Sequence, residues 1–267
     1  VRGKFSLRKS LLELWRRRDL IAIMTVSQIR ARYKQSLLGF AWAVLQPLIL
    51  MFLFTFIFSK MLHVTSEGLP YPLFSYSALI FFSFFSTCLT LGVPSLVIYA
   101  PIIRKIYFPR EIFPLVTVLA SVFDLIFAAL VFLLLLIIYP QAGLTWTALW
   151  VLPLLIIQTL FTLGVVFFAA AVCAMLRDVQ WGIPLITQVW LYCTPVIYSL
   201  DAVPPQYRWI LLLNPLTGLV DGYRKALLHN AAPDMLYLGI SLVFSVAAFY
   251  LGYRYFKAKE MTFADIL

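Results

Sequence analysis

The chain reads as an all-helical integral membrane protein with six transmembrane helices, and three observations carry that reading. Of its 267 residues, 63% are hydrophobic and only 12% charged, far from the composition of a soluble domain. Apolar runs of about 20 residues recur along it, each long enough to cross ~30 Å of hydrocarbon as a helix. The basic residues fall unevenly on the segments between those runs. The expected spans cover about 37–58, 74–98, 113–138, 149–175, 181–199 and 235–253. Residues 1–34 are expected to form an amphipathic interface segment, and residues 35–267 the six-span domain.

The first 34 residues hold ten Lys or Arg and two acids. Leu7, Leu11, Leu14 and Trp15 recur at helical spacing, with Lys9, Glu13, Arg16 and Arg17 opposite them, a pattern suited to a membrane interface. A second helix is expected from Asp19 through RDLIAIMTVSQIRARYKQ towards the first span. More than thirty mixed and charged residues precede the first apolar run, which does not fit a cleavable signal peptide. Cys88, Cys173 and Cys193 all fall within expected spans and imply no disulfide framework.

Orientation follows from the Lys and Arg count. With the N-terminus inside, the inner segments carry ten (1–34), three (99–112), one (Arg177) and three (Arg254, Lys257, Lys259), 17 in all, against four outside (Lys60, Arg208, Arg224, Lys225). Both termini are therefore expected to be cytoplasmic, and the +10 net charge lies against an anionic leaflet. Nucleic acid is not needed to explain it. The outer segment 200–234 holds two apolar pieces, Tyr207–Leu213 and Leu216–Leu228, broken by Asn214-Pro215. Both are too short to cross, and they read as re-entrant or interfacial helices or as a partly buried loop.

The inner stretch IYAPIIRKIYFPREIFPL, residues 98–115, places a short helix over Ile102–Phe108, with Pro101 in its first turn and Pro109 ending it. So short a helix is not stable alone in water. Ile102, Ile106, Tyr107 and Phe108 need a surface to bury against, either the span ends or a cytoplasmic partner.

RKIYFPREIFP resembles the cytoplasmic coupling helix of ABC-2 type permeases, in the branch that exports O-antigen and other cell-surface polysaccharides. Three further stretches are similar to that branch: RARYKQSLLGFAWAVLQPLILM, LRDVQWGIPLITQVWLYCTPVIY and NPLTGLVDGYRKALL. The resemblance implies a homodimer, two separate ABC ATPase subunits that bind ATP and Mg, a lipid-linked polysaccharide as substrate, and a bacterial inner membrane. It fits the absence of a G-x-x-x-x-G-K-[ST] phosphate loop from the sequence.

On that resemblance Ile102, Arg104, Lys105, Ile106, Tyr107, Phe108 and Arg110 are expected to couple to the ATPase, the basic ones adding steering or serving only as positive-inside charges. Tyr33, Phe40, Trp42, Trp190, Tyr192 and Tyr198 are the expected pathway residues, offering flat faces and, for Tyr and Trp, a polar tip to sugars. Arg30, Arg32 and Lys34, expected at headgroup level, are candidates for the polyprenyl diphosphate or simple topology anchors. Tyr207, Trp209, Asn214 and Tyr223 are expected at an outer gate. Asp124, deep in the third span, is expected to face protein or water, either for function or as a hydrogen bond between helices. Teichoic acid or capsular polysaccharide is the alternative cargo. An enzyme acting on isoprenoid lipids is disfavoured because the 11 acids are scattered, without a D-D-x-x-D run. A secondary transporter is disfavoured because only Asp124 is deep and no inverted repeat is evident.

Overall fold

A computed structural model of the chain describes residues 7–34, 39, 41–105, 109–140, 143 and 145–266. Among these, all regular structure is helical. Among the described residues five helices are long and apolar enough to cross a membrane: Ala41–Met61, Tyr71–Ile98, Ile112–Ile138, Trp146–Met175 and Met235–Thr262. The chain is a multi-pass membrane protein. The bundle end bearing Ile112 and Lys259 is called basal below, and the end bearing Ile138 and Met235 distal.

Helices α1 (Leu7–Arg16) and α2 (Arg18–Tyr33) precede the bundle. Leu20, Ile21 and Met24 pack on Ile112 and Val116, Gln28 donates to Thr117 Oγ1 at 3.1 Å, and Arg32 reaches Asp124. Helix α2 thus climbs parallel to α7 (Ile112–Ile138). Arg32 is not level with the basal end, as the sequence predicts, but opposite a residue twelve positions, about 18 Å, along α7. Ile21, Met24, Gln28 and Arg32 form one stripe at helical spacing, and their partners on α7 pull the helix upright.

Helix α3 (Ala41–Phe54) widens into a π-helix at Thr55–Met61. Helix α4 (Tyr71–Gly92) is the hub, with most of its residues buried. Two one-turn helices follow, α5 (Ser95–Ile98) and α6 (Ala100–Ile103). Of the helix expected over Ile102–Phe108, the described part is corrected: helix covers Ala100–Ile103, and Arg104 and Lys105 lie in a turn. Burial of Ile103 beside Leu96, Phe113 and Phe256 fixes that single turn. Ile106, Tyr107, Phe108 and, upstream, Phe40 lie outside the described residues.

Helix α8 (Val151–Met175) runs parallel to α12 (Met235–Lys259), with Gly164 beside Ala248 and Phe168 beside Tyr255. Their backbones touch at Gly164 and Gly252: a Cβ on Gly164 would fall 2.5 Å from the Ala248 carbonyl carbon. Small residues permit such approach where apolar burial gives helices no preference over lipid. Helix α9 (Val179–Cys193) has 15 residues, about 22 Å, so the continuous span expected over 181–199 is not formed. Thr194 is extended, with ψ of 139°, because the following Pro195 disfavours the helical conformation there. Helices α10 (Pro205–Leu212) and α11 (Pro215–Leu227) then lie at the distal end, and α13 (Phe263–Ile266) closes the described chain.

Arg224 of α11 holds the 194–199 turn in place. It is 3% exposed, stacks on Phe74 at 3.7 Å, and donates to the carbonyl oxygens of Pro195 at 2.6 Å, Val196 at 2.7 Å and Tyr198 at 3.1 Å. Lysine has no planar fork to span three carbonyls. Arg224→Lys is expected to cost on the order of 2–3 kcal/mol, read as a lower melting temperature in detergent, with Arg224→Met costing more.

Candidate functional site

Asp124 is the centre of a polar cluster within the bundle. One carboxylate oxygen accepts from Arg32 and the other from Tyr33. The pair is largely buried, with side chains 19% and 16% exposed, and the bond to Tyr33 satisfies the second oxygen, which such pairs need. Arg32 Nη2 is buried with no hydrogen-bond partner.

Beside this pair α2, α3, α4 and α7 enclose a cavity of about 220 Å³. Arg32, Tyr33, Asp124, Gln46, Ser83 and Thr87 supply its polar groups, and Trp42, Pro47, Phe84 and Leu125 its apolar wall. The Trp42 ring is half exposed. Donors and acceptors around a small space, with one flat aromatic face, suit a hydroxyl-rich ligand. Among the described residues no group of three His, Cys, Asp or Glu gathers to hold a metal.

Of the expected pathway residues, Tyr33 and Trp42 meet here, joined by Arg32 and Asp124. Trp190 and Tyr192 lie elsewhere, in the last turn of α9, and Tyr198 in the turn after it. Trp190 packs edge-on against Phe85 at 4.9 Å and Phe161 at 5.9 Å, and its indole donates to Asn214 Oδ1 at 3.0 Å. Tyr198 donates to the Tyr192 carbonyl at 3.3 Å. An apolar groove of about 950 Å³ runs past Trp190 and Asn214 between α8, α9 and α12. Arg30 and Lys34 are exposed on α2.

At the distal end Asn214 caps α11, accepting from Leu216 N at 3.1 Å and donating to Thr194 at 2.9 Å. Tyr207 and Trp209 on α10 are exposed. Tyr223 does not join them: it is fully buried, stacked on Phe81 at 3.5 Å. Its hydroxyl donates to Gln158 at 2.8 Å, and Gln158 donates to the Phe81 carbonyl at 2.7 Å. Those bonds tie α4, α8 and α11 together, so the place of Tyr223 is in the core, not at the mouth. Gln158, a lone amide within an apolar run, was the sequence signal for this network.

Sequence reasoning also passed over Glu67 and Glu111. Glu67, at φ 54°, accepts from Ser199 and pairs with His229 Nε2 at 2.7 Å. The His229 bond, assisted by Ser199 and opposed by burial, holds its carboxyl down at about 2 against an ordinary 4.5. A depressed carboxylate contributes stability above its unfolded value and loses it as pH falls through the folded one. Melting temperature in detergent should therefore drop as pH falls from 4.5 towards 2, and Glu67→Gln should flatten that part of the curve. Glu111 is fully buried and accepts from Lys257 at 2.5 Å and Tyr253 at 3.0 Å. Arg110 N donates to Glu260 at 3.3 Å.

Apolar helices of membrane-spanning length packed round a small polar cavity fit a membrane transport domain. Residues 19–228 match the family model described as ABC-2 type transporter, and the chain belongs to that family. It is 29% identical over 251 residues to the O-antigen export system permease protein RfbA of Klebsiella pneumoniae, covering 93% of this chain and 95% of that one. It is 26% identical over 256 residues to the protein of the same name from Myxococcus xanthus, covering 95% and 97%. Similarity to the polysialic acid transport protein KpsM of Escherichia coli is 23% over 253 residues, covering 90% and 93%.

Proposed function

We propose that this chain is the permease subunit of an ATP-driven exporter, moving a polyprenyl-diphosphate-linked polysaccharide of the O-antigen type across a bacterial inner membrane. The observation that carries the reading is similarity over nearly the full length to permeases named for O-antigen export. Two copies of the chain line a shared path, and two ATPase subunits bind ATP and Mg and dock against residues 100–110. Helix α9 serves as the sixth membrane element, α10 and α11 dip back from the outer face, and the basal end is cytoplasmic, as the Lys and Arg distribution supports. Arg30 and Lys34, exposed on α2, attract the diphosphate, whereas Arg32 is committed to Asp124. The cavity beside Trp42 takes sugar hydroxyls. Capsular cargo is the second reading, favoured by the similarity to KpsM at its lower identity.

Deleting the gene in its host tests this. Surface polysaccharide should disappear while lipid-linked glycan accumulates on the inner side. Normal surface glycan in the deletion strain contradicts the reading.

A further inference from the structure

The basal polar cluster does more than close a helix end. Both carboxylate oxygens of Glu111, the residue that leads the chain into α7, are held by α12: Oε1 by Tyr253 and Oε2 by Lys257. Lys257 also reaches Glu260 at 3.0 Å, and Glu260 accepts the backbone N–H of Arg110. The exit of the 100–110 segment is therefore bolted at two successive residues, Glu111 to α12 and Arg110 to the residue that caps it. Phe113 and Ile103 share an apolar cluster with Tyr253 and Phe256 of the same helix.

Helix α12 is 25 residues long without an internal proline, so it can move as one body. At its distal end it grips α11: Ser241 donates to the Pro215 carbonyl at 2.8 Å, and a Cβ on Gly218 would fall 2.7 Å from the Tyr237 carbonyl oxygen. Between its ends it packs along α8, backbone to backbone at Gly164 and Gly252 and ring to ring where Phe167 meets Phe249, Tyr253 and Phe256. A rod tied at both ends and packed along a partner helix passes a shift of one end to the other by sliding against that partner.

We propose that Glu111, with Tyr253 and Lys257, is the joint that passes movement of the 100–110 segment into α12, and that α12 carries it as a lever to α11. Glu111 is a positioning residue: it acts through α12 and touches neither cargo nor nucleotide. The proposal rests on the reading that an ATPase engages residues 100–110.

The test uses the complete complex of this chain with its ATPase in proteoliposomes. It carries a cysteine at Asp201, beyond α9, in a Cys193→Ser background, and is labelled with a water-soluble maleimide. In the parent, trapping with ATP and vanadate should change the labelling rate. Glu111→Gln should abolish that change and lower glycan transport about tenfold, a usual size for coupling between sites, with ATP hydrolysis kept within about twofold. Tyr253→Phe removes one bond only and should lower transport about threefold. Glu111→Gln with normal transport and a normal labelling response overturns the proposal. If Glu111→Gln does not assemble, Tyr253→Phe decides, and parental behaviour of that variant overturns it. A parent complex that transports glycan without any labelling change also contradicts the lever. Failure of the parent chain to recruit an ATPase contradicts the exporter reading itself, and the lever with it.

Discussion

Gly252→Val should yield no folded protein. Gly252 and Gly164 bring the backbones of α12 and α8 into direct contact, and the atoms facing an added Cβ are main-chain atoms, such as the Ala248 carbonyl carbon 2.5 Å from a Cβ on Gly164. Non-bonded carbons sit comfortably at about 3.5–4 Å. Neither helix can yield by turning a side chain aside, so the two must part along their length. Overpacking of a core costs about 1–3 kcal/mol where side chains adjust. Here the cost should exceed about 4 kcal/mol, the range reserved for severe defects. Helix propensity alone predicts the opposite sign, since replacing a mid-helix glycine with alanine gains about 1 kcal/mol. Size-exclusion of a fluorescent fusion after detergent extraction separates the two. Loss of the monodisperse peak is expected for valine at 252 or 164. A peak as strong and as heat-stable as the parent's would mean that α8 and α12 do not cross there.

The second large effect concerns Asp124. Asp124→Leu removes the acceptor of both Arg32 and Tyr33 and strands a mostly buried guanidinium. Removing one partner of a buried pair costs 3–5 kcal/mol when the pair is fully enclosed. These side chains keep 19% and 16% exposure, so about 2–3 kcal/mol is expected. The sharper consequence is functional, because α2 would lose its hold on α7 and the cavity its polar wall. Surface glycan should fall by at least about tenfold, a loss equivalent to about 1.4 kcal/mol, with Asp124→Asn falling less. Pairing Asp124→Leu with Arg32→Met should recover melting temperature, because replacing both charges by apolar groups can be neutral, but not export. Full export by that pair would reduce Asp124 to a structural bond between helices.

What the sequence disclosed, and what it withheld, divides along physical lines. Apolar runs long enough to cross a bilayer are visible one residue at a time, which is why α3, α4, α7, α8 and α12 fall close to their expected ranges. The short α9 needed more weight on the Thr194-Pro195 pair, whose local constraint outranks an apolar composition that continues to Tyr198. Asp124, Arg32 and Tyr33 each stood out, yet their meeting spans 91 and 92 positions, a pairing no local pattern encodes. The upright α2 was latent in its stripe of Ile21, Met24, Gln28 and Arg32. Tyr223 misled because it lies in an outer segment that resembles gate helices, while its side chain turns into the core. Its true partner, Gln158, was the feature to notice. Glu111 was hidden in a basic stretch, where a single acid looks like ordinary surface charge until Lys257 and Tyr253 arrive from the far end of the chain.

The most direct measurement is transport of a lipid-linked glycan into proteoliposomes containing this chain with and without its ATPase subunit. The account predicts accumulation only when both are present with Mg and ATP, and none from the chain alone under any ion gradient. Gradient-driven glycan movement by the chain alone would contradict it.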